Sequence, residues 1–335
     1  MNKSYLAVAV ATAVSCSAVA ENKIEEEMLV TATKVEQPLR ATLPTAHVIT
    51  SIDIERIQPR DLPSLLGRVS GLSFRDSGGR GSTSGVFVRG AASSQTIVLI
   101  DGVRSSSATT GATALENIPL DAIERIEVVK GPLSGIYGAD AVGGVIQVFT
   151  KRGSSEGVSG NVKASYGSNN SYDVGATISG GNDKHQFLAS FTQEETDGID
   201  STDLQTAGNG DRDGFEQKSG NLSASLTLHD QLKAQLNYVK SDGRSDFDNT
   251  FGTDEGRYSE SELESFGSKF LYNPTDTVRV SLDLGHFVDR IVTPAYGSDI
   301  ETKRNSVSLQ GDFDLSSIAE GIRASLADAM AEQIT

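Results

Sequence analysis

From residue 157 to about residue 315 the chain alternates apolar and polar positions with period two, segment after segment. Leu222, Ala224, Leu226 and Leu228 interleave with Asn221, Ser223, Ser225 and Thr227; Leu232, Ala234, Leu236 and Tyr238 interleave with Lys233, Gln235 and Asn237. Val278, Val280, Leu282 and Leu284 repeat the pattern, as do Val307, Leu309 and Phe313. Alternation of this kind predicts strands with one apolar and one polar face, and it predicts about eight of them. Short turns at 167–170, 180–183 and 229–230 alternate with long polar loops at 193–216, 240–260 and 288–302. Upstream, the apolar residues are denser. Ile126, Val128 and Val129, then Val145, Ile146, Val148 and Phe149, predict two strands buried on both faces. Gly131-Pro132, Gly135, Gly138 and Gly143-Gly144 punctuate the turn that joins them. Runs at 86–90 and 98–103 predict two more strands. Residues 51–56 predict a helix capped by Ser51, 61–66 a helix with Pro63 in its first turn, and 121–125 a short third helix. The last segment, 316–335, abandons alternation for Ala, Leu and Met at helical spacing and predicts a helical tail.

Composition narrows the setting. Residues 1–20 carry Lys3, an apolar stretch and the small-residue site Ala18-Val19-Ala20, the pattern of a cleaved secretory signal peptide. Cys16 is the only cysteine, so the mature chain has no thiol for a disulfide, catalysis or metal binding; acylation at Cys16 is the competing reading of this leader. No other apolar run approaches the ~20 residues of a spanning helix. Helical membrane architecture is thereby excluded, while a strand-built transmembrane barrel is not. A net charge of −16 repels nucleic acid. His47, His185, His229 and His286 are scattered, with no HExxH motif or nucleophile elbow, so the chain is read as no enzyme. The glycine-rich stretch 76–84 lacks the endings of a phosphate-binding loop. A soluble sandwich would also alternate, but it does not call for loops that are long at one end only.

Two groups of residues suggest specific chemistry. Residues 25–33, with Glu27, Met28, Leu29, Val30, Thr31 and Ala32 at their centre, are acidic and then β-prone beside the cleavage site. Such a segment suits strand addition to a partner's sheet, or an ordinary leading edge strand. Asn209-Gly210-Asp211-Arg212-Asp213-Gly214 spaces oxygen side chains before a glycine, as in a Ca²⁺-wrapping turn. The glutamate that would complete an EF-hand is absent, with Gly220 in its place, so further ligands are sought in Asp200, Asp248 and Asp254.

The glycine-punctuated strand pair at 125–151, with Val86-Phe87-Val88-Arg89-Gly90 and Val98-Leu99-Ile100-Asp101-Gly102-Val103, resembles the plug domain of TonB-dependent outer-membrane receptors. The resemblance covers residues 25 to about 315. It implies an α+β plug followed by antiparallel transmembrane β-barrel strands in the bacterial outer membrane. The domains implied are the leader at 1–20, a Ton box and linker at 21–40, the plug at 41–153, barrel strands at 157–315 and the tail at 316–335. Residues 27–32 then match the Ton box that pairs with TonB. Ser82, Thr83, Ser84, Thr109 and Thr110 match plug-loop positions that meet ligand. Arg89, Arg125 and Lys130 are expected to anchor the plug on an acidic barrel lumen. The aspartates at 200, 211, 213, 248 and 254 are similar to the calcium-binding loops of the cobalamin receptors within that family. The implied function is TonB-driven uptake of cobalamin, with outer-membrane lipid, TonB and calcium as partners. Ferric-siderophore uptake, or a non-transporting product of a truncated gene, is the alternative. About eight strands fall short of the ~22 of a plugged transporter barrel, so the barrel is expected to be incomplete and the chain a truncated form, not competent alone.

Overall fold

The computed structural model describes residues 28–29, 37–38, 45–138, 140–201, 212–248, 257–314 and 323–334. Met28–Leu29 (β1) pairs antiparallel with Gln37–Pro38 (β2). Thr45–Thr50 (β3) leads into helix α1, Ser51–Ile57, and Leu62–Leu66 forms α2. The cap of α1 is Thr50, one residue before the expected Ser51. Its hydroxyl accepts from Asp53 N at 3.3 Å, and the Asp53 carboxylate accepts from Thr50 N at 3.1 Å, a capping box that Ser51 has no acid three residues on to close. Asp61, expected inside the second helix, caps α2 instead, and Pro63 lies in its first turn as the sequence suggests.

Leu72–Asp76 (β4) and Ser84–Val88 (β5) form a two-stranded sheet of their own. Thr96–Ile100 (β6), Val103–Arg104 (β7), Ile123–Lys130 (β8) and Gly144–Thr150 (β9) join β3 in a five-stranded sheet of order β3-β8-β9-β6-β7. β8 and β9 are the paired dense runs, with Ile126 opposite Val148 and Val128 opposite Ile146. All of β9 is buried, which is why it shows no alternation. Asp101 and Gly102 both take positive φ, 49° and 90°, giving the tight two-residue hairpin between β6 and β7. The short helix expected at 121–125 is a 3-10 turn at Leu120–Ala122, because Ile123 and Ile126 are claimed by the buried face of β8. A last short helix, Ser134–Tyr137 (α3), sits in the β8–β9 turn.

The alternating half forms one antiparallel sheet. Its strands are Gly157–Tyr166 (β10), Tyr172–Gly181 (β11), His185–Ile199 (β12), Asp213–His229 (β13), Leu232–Asp246 (β14), Tyr258–Thr275 (β15), Val278–Thr293 (β16), Ser298–Asp314 (β17) and Arg323–Ile334 (β18), hydrogen-bonded in chain order. Eight lie between residues 157 and 315, as the alternation predicts. The ninth corrects the expectation of a helical tail. β18 pairs along β17 from Asp314↔Arg323 to Arg304↔Ile334, with a register shift opposite Leu309/Gly311 that absorbs its broken alternation. Pairing with the open backbone groups of β17 outweighs the helical preference of Ala, Leu and Met, which amounts to less than about 1 kcal/mol per residue. The strands also run further than expected, through 193–199, 240–246 and 288–293. The loop expected at 288–302 shrinks to residues 294–297. The 167–170 turn lies at the long-loop end instead of the opposite one.

Polarity in this sheet is reversed relative to a water-soluble protein. Leu222, Leu228, Phe266, Val307 and Leu309 point outward and are exposed, while Gln217, Asn221, Ser241, Asp289 and Arg304 point inward and are buried. The register aligns Leu222, Tyr238, Phe266 and His286 in one outward row, with apolar rows on the side away from the long loops. Toward the long loops the outward rows turn charged: Lys218, Asp242, Glu262 and Arg290 share one, and Glu216, Arg244 and Glu260 the next. No helix among the described residues is long and apolar enough to cross a membrane, which leaves crossing by strands untouched.

The plug packs against the inward face. Val239, Leu263 and Phe287 of β14–β16 enter the same buried cluster as Ile126, Val128, Ile146 and Val148, each contributing about 1.5–3 kcal/mol if fully buried. Lys163 of β10 reaches Asp121 at 3.1 Å, Gln217 donates to Asn117 O at 3.4 Å and Asn221 to Lys151 O at 3.1 Å. The expected anchors are not the ones used. Arg89 donates to Thr45 at 3.0 Å, Lys130 to Ser70 O at 2.8 Å, and Arg125 pairs with Glu127 at 3.0 Å while lying 3.8 Å from the Phe149 ring centre. All three turn inward to the plug, because satisfying its own carbonyls and Glu127 lies within shorter reach than the wall.

One seam contact joins two acids. Glu116, on the 3-10 turn Leu115–Asn117, is buried and accepts from Ser84 Oγ at 2.5 Å. Asp289 of β16 bears on it electrostatically and keeps a buried Oδ1 without a hydrogen-bond partner. Burial raises the Glu116 pKa from 4.5 to about 7; the Ser84 hydrogen bond opposes this, and the Asp289 charge adds to it. The folded state therefore holds a proton that the unfolded chain releases near pH 4.5, so its stabilising effect is complete below that pH and disappears as pH rises through about 7. Replacing Glu116 with Gln keeps an acceptor for Ser84 and removes the charge. Denaturant unfolding of the purified chain is expected to show Glu116→Gln more stable by about 2 kcal/mol at pH 8 and nearly unchanged at pH 5. Equal effects at both pH values contradict this assignment.

Candidate functional site

Two plug loops and the long-loop end of the sheet meet in one region. The first loop, residues 77–83, is closed by Ser77 N donating to Thr83 O at 3.1 Å and Ser82 N to Gly79 O at 3.3 Å. At its tip Arg80 pairs with Glu194 of β12 at 2.5 Å and sits 5.0 Å from the Phe215 ring centre of β13. Gly81 has φ +74°, and a Cβ there would stand 2.5 Å from the Phe215 ring. Gly79 lies against the base of the 200–212 loop, where a Cβ would be 3.0 Å from Asp213 Cβ and 3.3 Å from Ser201 Oγ. Glycines thus let the loop backbone lie on the wall, and the arginine between them supplies the grip. A polar cavity of about 30 Å³, bordered by Arg80, Glu116, Glu194 and Gln217, remains behind the loop. That volume holds a water or two and no larger ligand.

The second loop, residues 105–113, folds around Ser107. Ser107 Oγ accepts from Thr109 N at 3.2 Å and Thr110 N at 3.4 Å, and Ser107 O accepts from Gly111 N at 2.9 Å. Its root is held by the Arg104–Asp140 ion pair. The wall holds it from the other side. Arg304 of β17, 3% exposed, donates to Ser106 O at 3.0 Å and Ser106 Oγ at 3.2 Å, and Thr302 Oγ1 accepts from Ala108 N at 3.0 Å.

The predicted residues are partly brought together. Thr83 is exposed on the first loop, and Thr109 and Thr110 are exposed at the tip of the second. Ser82 is half-buried with a hydroxyl lacking a partner, whereas Ser84 starts β5 and is already engaged by Glu116. Asp200 is exposed just beyond β12 and Asp248 is half-buried just beyond β14. Asp213 opens β13, is 5% exposed and accepts from Ser201 N at 3.1 Å. Asp211 and Asp254 lie outside the described residues. Among those described, no group of three or more His, Cys, Asp or Glu is gathered for a metal ion. Of the expected Ton box, Met28 and Leu29 pair with Pro38 and Gln37, and Glu27, Val30, Thr31 and Ala32 lie outside the described residues. The sequence reading missed Arg80 and Arg304. A lone arginine between Gly79 and Gly81, and a charge at an inward position of an alternating strand, were the available signals.

If Gly81 is the contact that lets the first loop lie flat, Gly81→Ala is expected to destabilise the chain by about 2 kcal/mol through clash and strained φ. Adding Phe215→Ala should recover the steric part and leave the φ part, a non-additivity that a double-mutant unfolding cycle measures directly.

With this geometry in view, the comparisons with known proteins fall into place. The family model described as TonB-dependent Receptor Plug Domain matches residues 38–145. The chain is 33% identical over 325 residues to the vitamin B12 transporter BtuB of Photobacterium profundum, covering 94% of this chain and 52% of the relative. It is 33% identical over 273 residues to the vitamin B12 transporter BtuB of Vibrio cholerae, covering 79% of this chain and 44% of the relative. The chain thus spans about half the length of the curated relatives it matches. Among solved structures it is similar in fold to the siderophore receptor PirA from Acinetobacter baumannii, with TM-score 0.66 and 18% identity over 88% of this chain and 48% of that one. The ferric enterobactin receptor PfeA from Pseudomonas aeruginosa gives TM-score 0.68 and 18% identity over 92% and 50%. A matching plug, a wall of alternating strands closing over it, and relatives that align along nearly all of this sequence converge on one assignment: the chain belongs to the TonB-dependent receptors.

Proposed function

We propose that this chain supplies the plug and the first barrel strands of an outer-membrane importer for cobalamin, energised through TonB. The observation that carries this reading is the 33% identity to vitamin B12 transporters along 94% of the chain. The siderophore receptors found by fold are only 18% identical and speak to architecture, not ligand. The arrangement is consistent with import. Both plug loops and the long loops after β12 and β14 lie at one end of the sheet, so a ligand landing there touches plug and wall together. Thr83, Thr109 and Thr110 offer hydroxyls to it. Cobalamin is neutral over much of its surface, which suits hydroxyl donors and acceptors better than a charged ring.

Calcium belongs to the same proposal. Asp200, Asp213 and Asp248, with Asp211 and Asp254 of the same two loops, would supply the carboxylate oxygens such an ion needs. Asp213 links this region to the plug, since Gly79 packs against it. The Ton box at 27–32 would engage TonB by strand addition, and pulling it would strain the hydrogen-bonded seam between plug and wall.

Equilibrium binding of cobalamin to the purified chain in neutral detergent tests this reading. Retention of cobalamin with Ca²⁺, weakened about tenfold by chelation or by Asp213→Asn, is the expected result. Binding of a ferric siderophore in its place, indifferent to Ca²⁺, would sink it.

A further inference from the structure

Arg304 and Thr302 stand two residues apart on β17 and therefore on the same inward face. Arg304 is 3% exposed and Thr302 is fully buried. We propose that Arg304, with Thr302, is a positioning residue for ligand capture, which fixes the second plug loop so that Thr109 and Thr110 present their hydroxyls to the ligand. This rests on the importer reading above and deepens it, since it names wall residues that set the affinity of that site without touching the ligand.

Three observations carry it. The first is where the wall takes hold. Arg304 Nη2 donates to Ser106 O at 3.0 Å and to Ser106 Oγ at 3.2 Å, and Thr302 Oγ1 accepts from Ala108 N at 3.0 Å. These contacts fall on either side of Ser107, the hub on which the loop folds. Ser107 Oγ accepts from Thr109 N and Thr110 N, and Ser107 N donates to Ala112 O at 2.8 Å. A loop braced through its own hub moves as one piece, so fixing residues 106 and 108 fixes the tip. The second is the pattern of exposure. Ser105, Ser106 and Ser107 are buried, whereas Ala108, Thr109 and Thr110 are exposed. The wall contacts sit at the changeover, where they decide how the tip stands out.

The third observation is the kind of residue used. A guanidinium removed from water must recover its hydration in hydrogen bonds. Elsewhere the wall reaches plug carbonyls with neutral amides, as Gln217 and Asn221 do. A charged donor that takes two oxygens of one residue holds it more firmly and more directionally than an amide does. The root of that donor is fixed as well. Arg304 lies opposite Phe287, which is 1% exposed within the core shared by plug and wall. The arginine therefore carries the position of a rigid apolar contact to a loop that has none of its own.

Two readouts on the full chain in neutral detergent test this: equilibrium binding of cyanocobalamin in the presence of Ca²⁺, and amide hydrogen exchange over residues 105–113. Arg304→Met is expected to weaken binding about tenfold and to speed exchange at Thr109, Thr110 and Gly111 by a similar factor. Arg304→Lys, which keeps the charge and one donor, should recover part of both. Thr302→Val should give a smaller loss of about threefold. Adding Arg304→Met to Thr109→Ala with Thr110→Ala separates positioning from general packing, because a residue that acts through those two hydroxyls costs nothing further once they are gone. Additive losses overturn the proposal, as do parent-level affinity in Arg304→Met or exchange that it leaves unchanged. If Arg304→Met does not fold, Arg304→Lys and Thr302→Val carry the same comparison. If the parent chain retains no cyanocobalamin, the importer reading has failed, and exchange alone judges the clamp: faster exchange in Arg304→Met, partly restored by Arg304→Lys, upholds it, and unchanged exchange overturns it.

Discussion

The alternation of side chains across a strand governs this molecule. Each residue of β10–β17 is committed to one face by its parity, so a strand that turns leucines to one side must turn serines, asparagines and glutamines to the other. With the apolar face outward, the buried interior is polar, and whatever fills it must offer hydrogen-bond partners. The plug meets that demand with carbonyls and small hydroxyls at Ser106, Asn117 and Lys151. Its own apolar core is completed at three places by Val239, Leu263 and Phe287 reaching in from the wall.

This division shapes the seam between plug and wall. Most of the contacts are single hydrogen bonds to backbone or short polar groups, each worth about 1 kcal/mol net. Among the described residues the ion pairs across it are Arg80 with Glu194, and Lys163 with Asp121. Two loops are gripped by arginines from opposite sides, since Arg80 belongs to the plug and reaches out while Arg304 belongs to the wall and reaches in. A seam of many weak bonds opens piecemeal under a pull. Asp289 Oδ1, Asn117 Nδ2 and Ser241 Oγ are buried there without a protein hydrogen-bond partner.

The charged rows extend the same logic beyond the apolar rows. Strands β13–β17 continue toward the long loops as a grid of opposed charges, with Lys240 on Glu262 and Arg290 on Asp299. Cross-strand pairs are what allow the strands to run on past the apolar rows, and they explain why the loops are shorter than polarity alone suggested. Outward polarity therefore marks where the apolar rows end, not the end of a strand.

Much of this could be read from residue order. Period two identified β10–β17 and density of apolar residues identified β8 and β9, because each of these is a local preference of the side chains; the run 98–103 reads as one strand, and the positive φ of Asp101 and Gly102 divides it into β6 and β7. Thr83, Thr109 and Thr110 were placed on plug loops by the family resemblance, and all three are exposed there. Other features depended on contacts across the chain. β18 is a strand only because β17 leaves an edge to pair with, and Ser84 serves Glu116 only because a turn 32 residues away brings that carboxyl to it. Arg89, Arg125 and Lys130 were sequence candidates for anchoring the plug, but the reach of a side chain is decided by its nearest partner in space. Arg80 and Arg304, which do join plug to wall, lie 114 and 198 residues from what they hold. Local sequence sets which way a residue points; what it meets there is set by the packing of a plug against a wall that folds after it in the chain.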